Sequence, residues 1–231
     1  MRLGLFGGSF DPVHLGHLLV ALAAREELAL TRLFFILAAQ SPFKPERKPT
    51  PANERLRLLR LALAGKSWCA IDEQEIKRGG VSYTIDTVRD YTRRFPEAEL
   101  FYLVGADQPP QLPKWREAAE LARLVEFVVM PRPELAERRA TPGAALLNGG
   151  GALDSPQVLD GSRAGGAGTA PFQQEKTGVK FAQPFRVRTL VGFPLGVSSS
   201  QIRERVKAGL NIDHLVPGAV AEAIRDNRLY L

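Results

Sequence analysis

The 231-residue sequence predicts an α/β protein: a doubly wound, mostly parallel sheet with a small helical part at the C-terminal end. Two observations carry this expectation. Short, almost wholly apolar runs suited to buried parallel strands fall at residues 2–6, 32–38, 68–71, 99–104, 124–130 and 185–191. Most of them are separated by helical segments of about ten to fifteen residues, the rhythm of β-α-β units whose right-handed crossovers wind a sheet on both faces.

The first strand runs into Gly7-Gly8, expected to be a turn where the backbone comes close to a ligand. Helical spacing resumes at Leu15, Leu18, Leu19 and Leu22 and carries a helix to about Leu28. After the second strand, Gln40-Ser41-Pro42-Phe43-Lys44-Pro45 must be a loop at a strand's C-terminal end, and Lys44 is there either solvated or a phosphate contact. Asn53 is the candidate N-cap of a helix through Ala64 that turns Leu56, Leu59 and Leu63 inward. Residues 73–80 are charged, end in two glycines and read as a loop, after which Ser82 or Thr84 caps a helix to about Arg94.

The fourth strand ends in Gly105-Ala106-Asp107, a carboxylate that can accept from sugar hydroxyls, help place a hydrated Mg²⁺ or cap the next turn. Pro113 is expected to open a helix carrying Trp115, whose flat face either packs or stacks on a heteroaromatic ring. Nine of the 21 glycines lie between Gly143 and Gly178, so residues 136–180 read as a mobile insertion. Past the sixth strand, Ser198 and Gln201 have capping-box spacing at the head of the helical part, residues 196–231. A turn at 212–217 and a closing helix at 218–227 complete it, with His214 read as structural.

Composition narrows the function classes. With 45% hydrophobic and 24% charged residues the chain is expected to form one main globular domain, 1–231. It has no apolar run of about 18 residues and no signal-peptide layout, so a cytoplasmic protein with no membrane partner is expected. Cys69 stands alone, which excludes an intramolecular disulfide framework and a zinc cluster, and it reads as a small buried hydrophobe beside Trp68. The net charge of +6 is spread without a long single-sign run, compatible with anionic ligands. A nucleic-acid partner is not expected, because the four tyrosines and two tryptophans form no RNA-binding pattern.

Chemistry concentrates at two places. His14 and His17 are three residues apart at a helix start, so they share a face beside an anion-attracting N-terminus and the glycine pair: a polyphosphate site with two imidazoles. Ser198, Ser199 and Ser200 stand at another helix N-terminus with Arg203 after them, a set of hydroxyls and a guanidinium that can serve as a second phosphate site or, for one serine, as a cap.

The run Gly7-Gly8-Ser9-Phe10-Asp11-Pro12-Val13-His14-Leu15-Gly16-His17 resembles the signature of the nucleotidyltransferase superfamily that contains the adenylyltransferases and cytidylyltransferases. Later motifs narrow the resemblance: Ser82-Tyr83-Thr84-Ile85-Asp86-Thr87, Gly105-Ala106-Asp107, Trp115, Pro131-Arg132-Pro133, Ser198 through Arg203, Leu215-Val216-Pro217 and Asn227-Arg228-Leu229-Tyr230. In order, over nearly the whole chain apart from the insertion, they look like bacterial nicotinate-nucleotide adenylyltransferases. The resemblance implies a Rossmann-like fold and the reaction of ATP with nicotinate mononucleotide, with Mg²⁺, to give deamido-NAD and pyrophosphate in NAD biosynthesis.

It also implies residue roles. Gly7, Gly8, Ser9, Phe10, His17, Gly105, Asp107, Ser198, Ser199, Ser200 and Arg203 would bind ATP, and Lys44, Ser82, Tyr83, Thr84, Trp115 and Arg132 the mononucleotide and its pyridine ring. His14 and His17 would meet the α- and β-phosphates while Lys44 and Arg203 neutralise the departing pyrophosphate, with no direct side-chain ligand to the metal. One departure limits the transfer: the family's loop commonly reads Pro-Pro-His-Lys, whereas this chain reads Ser41-Pro42-Phe43-Lys44, so no role for a loop histidine carries over. Nicotinamide mononucleotide as acceptor and a homo-oligomer stay open at this stage, while phosphopantetheine is disfavoured because it would leave Ser82-Tyr83-Thr84 and Trp115 unexplained.

Overall fold

The computed structural model describes residues 1–40, 49–130, 185–192 and 195–231. Phe43, Lys44, Arg132 and the insertion at 136–180 lie outside the described residues. The elements in chain order are β1 (Arg2–Gly8), α1 (Leu15–Glu27), β2 (Arg32–Leu37), α2 (Ala52–Leu63), β3 (Cys69–Asp72), α3 (Gln74–Arg78) and α4 (Thr84–Arg94). Then follow β4 (Glu99–Gly105), a 3₁₀ turn (Pro109–Lys114), α5 (Ala118–Leu124), β5 (Glu126–Met130), β6 (Val187–Thr189), α6 (Ser199–Lys207) and α7 (Gly218–Asp226). Among the described residues no helix is long and apolar enough to cross a membrane.

The strands lie in the order β3-β2-β1-β4-β5-β6, and every ladder between them is parallel. Strand residues alternate between two cores. Phe6, Leu33, Phe35, Leu37, Leu103 and Val128 face a cluster shared with α1, α2, α6 and α7, through side chains such as Ala21, Leu59, Ile202 and Val220. Leu3, Leu5, Phe34, Ile36, Tyr102, Val104 and Phe127 face the other, shared with Ile85, Val88 and Tyr91 of α4 and Leu121 of α5. Burying each such side chain contributes roughly 1.5–3 kcal/mol, and burial on both faces is why the strands read as apolar runs. The chain winds first through β2 and β3 on one side, then returns to the middle for β4, so the β1 and β4 loops part at the sheet's C-terminal edge.

Several boundaries differ from expectation, each for a local reason. Gly7 and Gly8 are strand residues paired with Ile36 and Leu37, not a turn. A side chain at Gly7 would strike the Tyr102 hydroxyl, which is why glycine stands there. The chain turns at residues 9–12 instead, where Phe10 holds φ +44 because its ring is buried against Phe6 and Phe35. The N-cap of α2 is Pro51 rather than Asn53, and that of α4 is Tyr83 rather than Ser82 or Thr84. The Ser82 hydroxyl is drawn away to accept the Ala39 N–H at 3.0 Å.

Residues 74–78 form a short helix in place of a loop, closed by Gly79 and Gly80 at φ +70 and +66. Pro113 lies inside the 3₁₀ turn and Trp115 follows it, while the helix beyond starts only at Ala118. The third strand starts one residue later than expected, the fifth starts at Glu126, and the sixth is confined to Val187–Thr189. The capping box is present: Ser198 Oγ accepts the Gln201 N–H at 3.3 Å and Gln201 Oε1 accepts the Ser198 N–H at 2.9 Å.

One buried charge ties the strand ends together. Arg55 of α2 is 1% exposed, donating through Nε to the Thr50 carbonyl at 2.8 Å and through Nη1 to the Ser9 and Ala38 carbonyls at 2.9 Å each. Arg55→Met keeps the bulk but leaves three carbonyls without a donor, so it is expected to cost about 3 kcal/mol or more, read as a lower urea midpoint. An unchanged midpoint would contradict the role given to Arg55.

Candidate active site

A cleft of about 410 Å³ opens over the C-terminal ends of β1, β2 and β4. Gly7, Gly8, Ser9, Phe10, Asp11 and His17 line one side; Glu75, Ser82, Thr84, Tyr102, Asp107 and Trp115 line the other. The reversal of strand order puts it there, since loops from β1 and β4 diverge and leave space between them.

Ten of the sequence-derived candidates meet in this cleft: Gly7, Gly8, Ser9, Phe10, His17, Ser82, Thr84, Gly105, Asp107 and Trp115. Phe10 does so mainly through backbone, its ring being 1% exposed. His14, Tyr83, Ser198, Ser199, Ser200 and Arg203 are not among the lining residues. Tyr83 packs its ring under the Arg116 guanidinium, 4.7 Å from centroid to Cζ.

His14 is the N-cap of α1 and His17 its third residue, and the rings stack with centroids 3.7 Å apart at 29°. Gly16 permits this, because a Cβ there would stand 3.0 Å from His14 Nδ1. Phe6 and Phe10 close around His17 at 5.8 and 5.1 Å. The His14 backbone N–H donates to His17 Nδ1 at 3.2 Å, so the neutral His17 ring carries its proton on Nε2 and is a donor there. Burial lowers the His14 pKa to about 4; burial, then the neighbouring His14, hold His17 well below its ordinary value. Both rings are neutral at pH 7.

The turn beside them is held from three directions. Arg55 takes the Ser9 carbonyl, and Arg203 donates through Nη1 to the Asp11 carbonyl and through Nη2 to Ser200 Oγ at 2.8 Å. Ser199 Oγ donates to the Pro12 carbonyl at 2.9 Å, docking the start of α6 on the turn, and the Leu15 N–H donates to the Leu215 carbonyl at 2.9 Å. His214, next to it, is exposed on the 212–217 turn.

On the opposite wall Trp115 stands edge-on to Tyr102 and Phe127, centroids 6.2 and 5.8 Å away, and Thr84 Oγ1 donates to the Tyr102 hydroxyl at 3.4 Å. Burial lifts the Glu75 carboxyl above its usual range, against hydroxyl donors from Thr87 and Ser82 that favour the ionised form. Asp107 is exposed, with Gln108 Nε2 donating to Oδ2 at 2.7 Å. Burial pushes the Cys69 thiol up to about 12, which removes it as a nucleophile. A larger groove of about 610 Å³, on α4 and α5, holds Arg78, Arg89 and Arg93 and, of the motif residues, Asp86 alone, and there Arg89 is neutralised by Glu117 and Glu120.

Sequence reasoning missed Arg55, Glu75 and Tyr102. Arg55 had a signal, a charge in register with Leu59 and Ala62 on the inward stripe. Tyr102 was the one hydroxyl in an apolar strand. Glu75 had none, because its burial comes from elements distant in sequence.

The 9–12 turn, the neutral His17 imidazole and a compartment bordered by Tyr102 and Trp115 meet in one cleft over the C-terminal ends of the strands. That arrangement on a doubly wound parallel sheet defines a nucleotidyltransferase. The chain belongs to the cytidylyltransferase-like family, whose model matches residues 5–205. Relatives named as probable nicotinate-nucleotide adenylyltransferases from Opitutus terrae and Gemmatimonas aurantiaca are 34% and 38% identical over 230 residues, covering 100% of this chain and 98% and 92% of theirs. Among solved structures, the nicotinic acid mononucleotide adenylyltransferase of Plasmodium falciparum complexed with NaAD aligns over 99% of this chain and 97% of its own, with a TM-score of 0.62 at 13% identity, a likeness of fold.

The histidines give the pH dependence of stability a sign. The unfolded chain binds a proton at His14 near 6.5 and the folded chain only near 4, so this contribution is intact above 6.5 and lost as pH falls to about 4. Its size is on the order of 3 kcal/mol at most. His14→Asn is therefore expected to flatten the loss of stability between pH 6.5 and 4 relative to wild type, measured by urea unfolding; parallel curves would contradict the burial of a neutral ring.

Proposed function

We propose that the chain transfers the adenylyl group of ATP to the phosphate of nicotinate mononucleotide, giving deamido-NAD and pyrophosphate for NAD biosynthesis in the cytoplasm. The observation that supports this most strongly is the joining, in one cleft, of the Gly7-Gly8 strand end and the turn that follows it with neutral His17 and a compartment walled by Ser82, Thr84, Tyr102 and Trp115. Relatives with that printed activity match from end to end.

A mononucleotide phosphate oxygen attacks the α-phosphorus of ATP, and the bond to the α,β-bridging oxygen breaks with its electron pair leaving on pyrophosphate. A phosphate monoester is already ionised and nucleophilic, so no general base is needed. The chain's work is positioning and charge stabilisation. On this reading the end of β1 and the 9–12 turn receive the triphosphate, His17 Nε2–H donates to an α- or β-phosphate oxygen, and His14 holds His17 by stacking. Arg203, with Ser198, Ser199 and Ser200, supports the departing pyrophosphate, as does Lys44.

Trp115 and the residues 82–84 hold the mononucleotide, a role proposed for Arg132 as well. The N-terminus of α4 begins at Thr84 in the cleft wall and favours an anion, which speaks for a pyridine carboxylate over an amide. Asp107 suits a hydrated Mg²⁺, since a hard cation keeps several waters and takes phosphate oxygens. Among the described residues no group of three or more His, Cys, Asp or Glu is placed to hold a metal ion. Bound Mg²⁺ would screen the phosphate charges.

Pyrophosphate release from Mg·ATP, with nicotinate and nicotinamide mononucleotides run side by side, tests the reading. Strong preference for nicotinate is expected; equal use of both would void the acceptor assignment, and no release with either would void the reaction. His17→Ala is expected to lower kcat about 10²- to 10³-fold, the worth of one preorganised donor, and near-normal turnover would sink that role.

A further inference from the structure

We propose that Glu75 is a positioning residue for the mononucleotide: its carboxylate gathers the hydroxyls of Ser82 and Thr87 and so fixes residues 82–84 against the chain leaving β2. The inference rests on the acceptor reading above and adds a residue that no motif singled out. Glu75 sits in α3, 4% exposed, and lines the cleft with Ser82, Thr84 and Tyr102. Thr87, itself 0% exposed, donates its hydroxyl to Glu75 Oε1 at 2.6 Å, and Ser82 supplies a second hydroxyl donor.

These two residues bracket Tyr83 and Thr84. Ser82 precedes the N-cap of α4 and Thr87 lies one turn inside it, so one carboxylate holds the helix start from both sides. Ser82 is also the link across the cleft floor. Its Oγ accepts the Ala39 N–H at 3.0 Å and its N–H donates to the Gln40 carbonyl at 2.9 Å, beside the Gln40–Val81 bridge. A serine hydroxyl has one proton; with Oγ accepting from Ala39, that proton goes to Glu75. Arg78 approaches Thr87 Oγ1 at 3.4 Å, and Asp72 and Tyr102 are the other titratable groups facing Glu75.

Glu75→Gln preserves shape but weakens this hold, because one neutral amide oxygen replaces two charged acceptors and the amide nitrogen cannot accept from either hydroxyl. A residue that merely anchored α4 would lower the melting temperature and leave the balance between substrates alone. A positioning residue shifts one substrate's KM. The test is steady-state pyrophosphate release by the full chain, wild type, Glu75→Gln and Thr87→Val, varying ATP and nicotinate mononucleotide separately, with the melting temperature of each variant.

The expected result is a rise of roughly tenfold or more in KM for the mononucleotide, given the sensitivity of reactions to small misplacements, with KM for ATP within about twofold. Unchanged KM for the mononucleotide, or equal rises for both substrates, would overturn the proposal. Should Glu75→Gln fail to fold, Thr87→Val decides by the same criterion. A wild type that turns over while the variants match it refutes Glu75 alone; a wild type inactive on the mononucleotide refutes the acceptor reading and this inference with it.

Discussion

Three backbone carbonyls, from Ser9, Thr50 and Ala38, converge on the single guanidinium of Arg55, and the upper edge of the sheet depends on that convergence. A buried cation is expensive, and burial holds its pKa below the ordinary value even with Asp11 and Tyr230 beside it. What it supplies is geometry. The rigid fork of donors fixes the ends of β1 and β2 relative to α2, which no apolar residue could do. The 9–12 turn has no regular structure of its own, yet it is pinned by α2 through Arg55 and by α6 through Arg203 and Ser199. The C-terminal Tyr230 joins the same cluster, its phenol lifted by burial and by facing Asp11.

That rigidity bears on how the histidines work. Stacked, buried imidazoles cannot both be cations, and here neither is one at neutral pH. Under the proposed function His17, held by the stacked His14, acts as a preorganised neutral donor, which needs no reorganisation when negative charge develops. Permanent positive charge is left to Arg203 at the cleft's edge, which the structure parks on Ser200 and the Asp11 carbonyl. Under the proposed function the site separates orientation from charge: His17 sets direction, and cations on other elements balance the phosphates.

The sheet was legible because parallel strands buried on both faces have little freedom in composition: Arg32–Leu37 reads Arg-Leu-Phe-Phe-Ile-Leu and is buried from Leu33 onward. The phosphate-side motif was legible because glycines and histidines are rarely placed together without reason. Helix starts were less so. Ser82 is a good capping residue by type, but tertiary bonds to Ala39 and Glu75 claim its hydroxyl and leave Tyr83 as the N-cap. Glu75 was hidden in a charged run that reads as solvated, since its partner Thr87 is twelve residues away and its burial comes from the fold. Arg55 was hidden similarly, although its place on the inward stripe of α2 marked it. Residues whose role is to hold others in place carry little local signal, because their partners are set by topology.

The central claim is that a neutral His17 presents Nε2–H to a phosphate. With only three histidines in the chain, ¹⁵N–¹H correlation spectra of the imidazoles at pH 7, without and with Mg·ATP, test it directly. The expected result is a neutral Nε2–H tautomer for His17 whose Nε2 resonance moves on adding Mg·ATP, with His214 unaffected. An imidazolium, the opposite tautomer, or a His17 signal indifferent to Mg·ATP would contradict it.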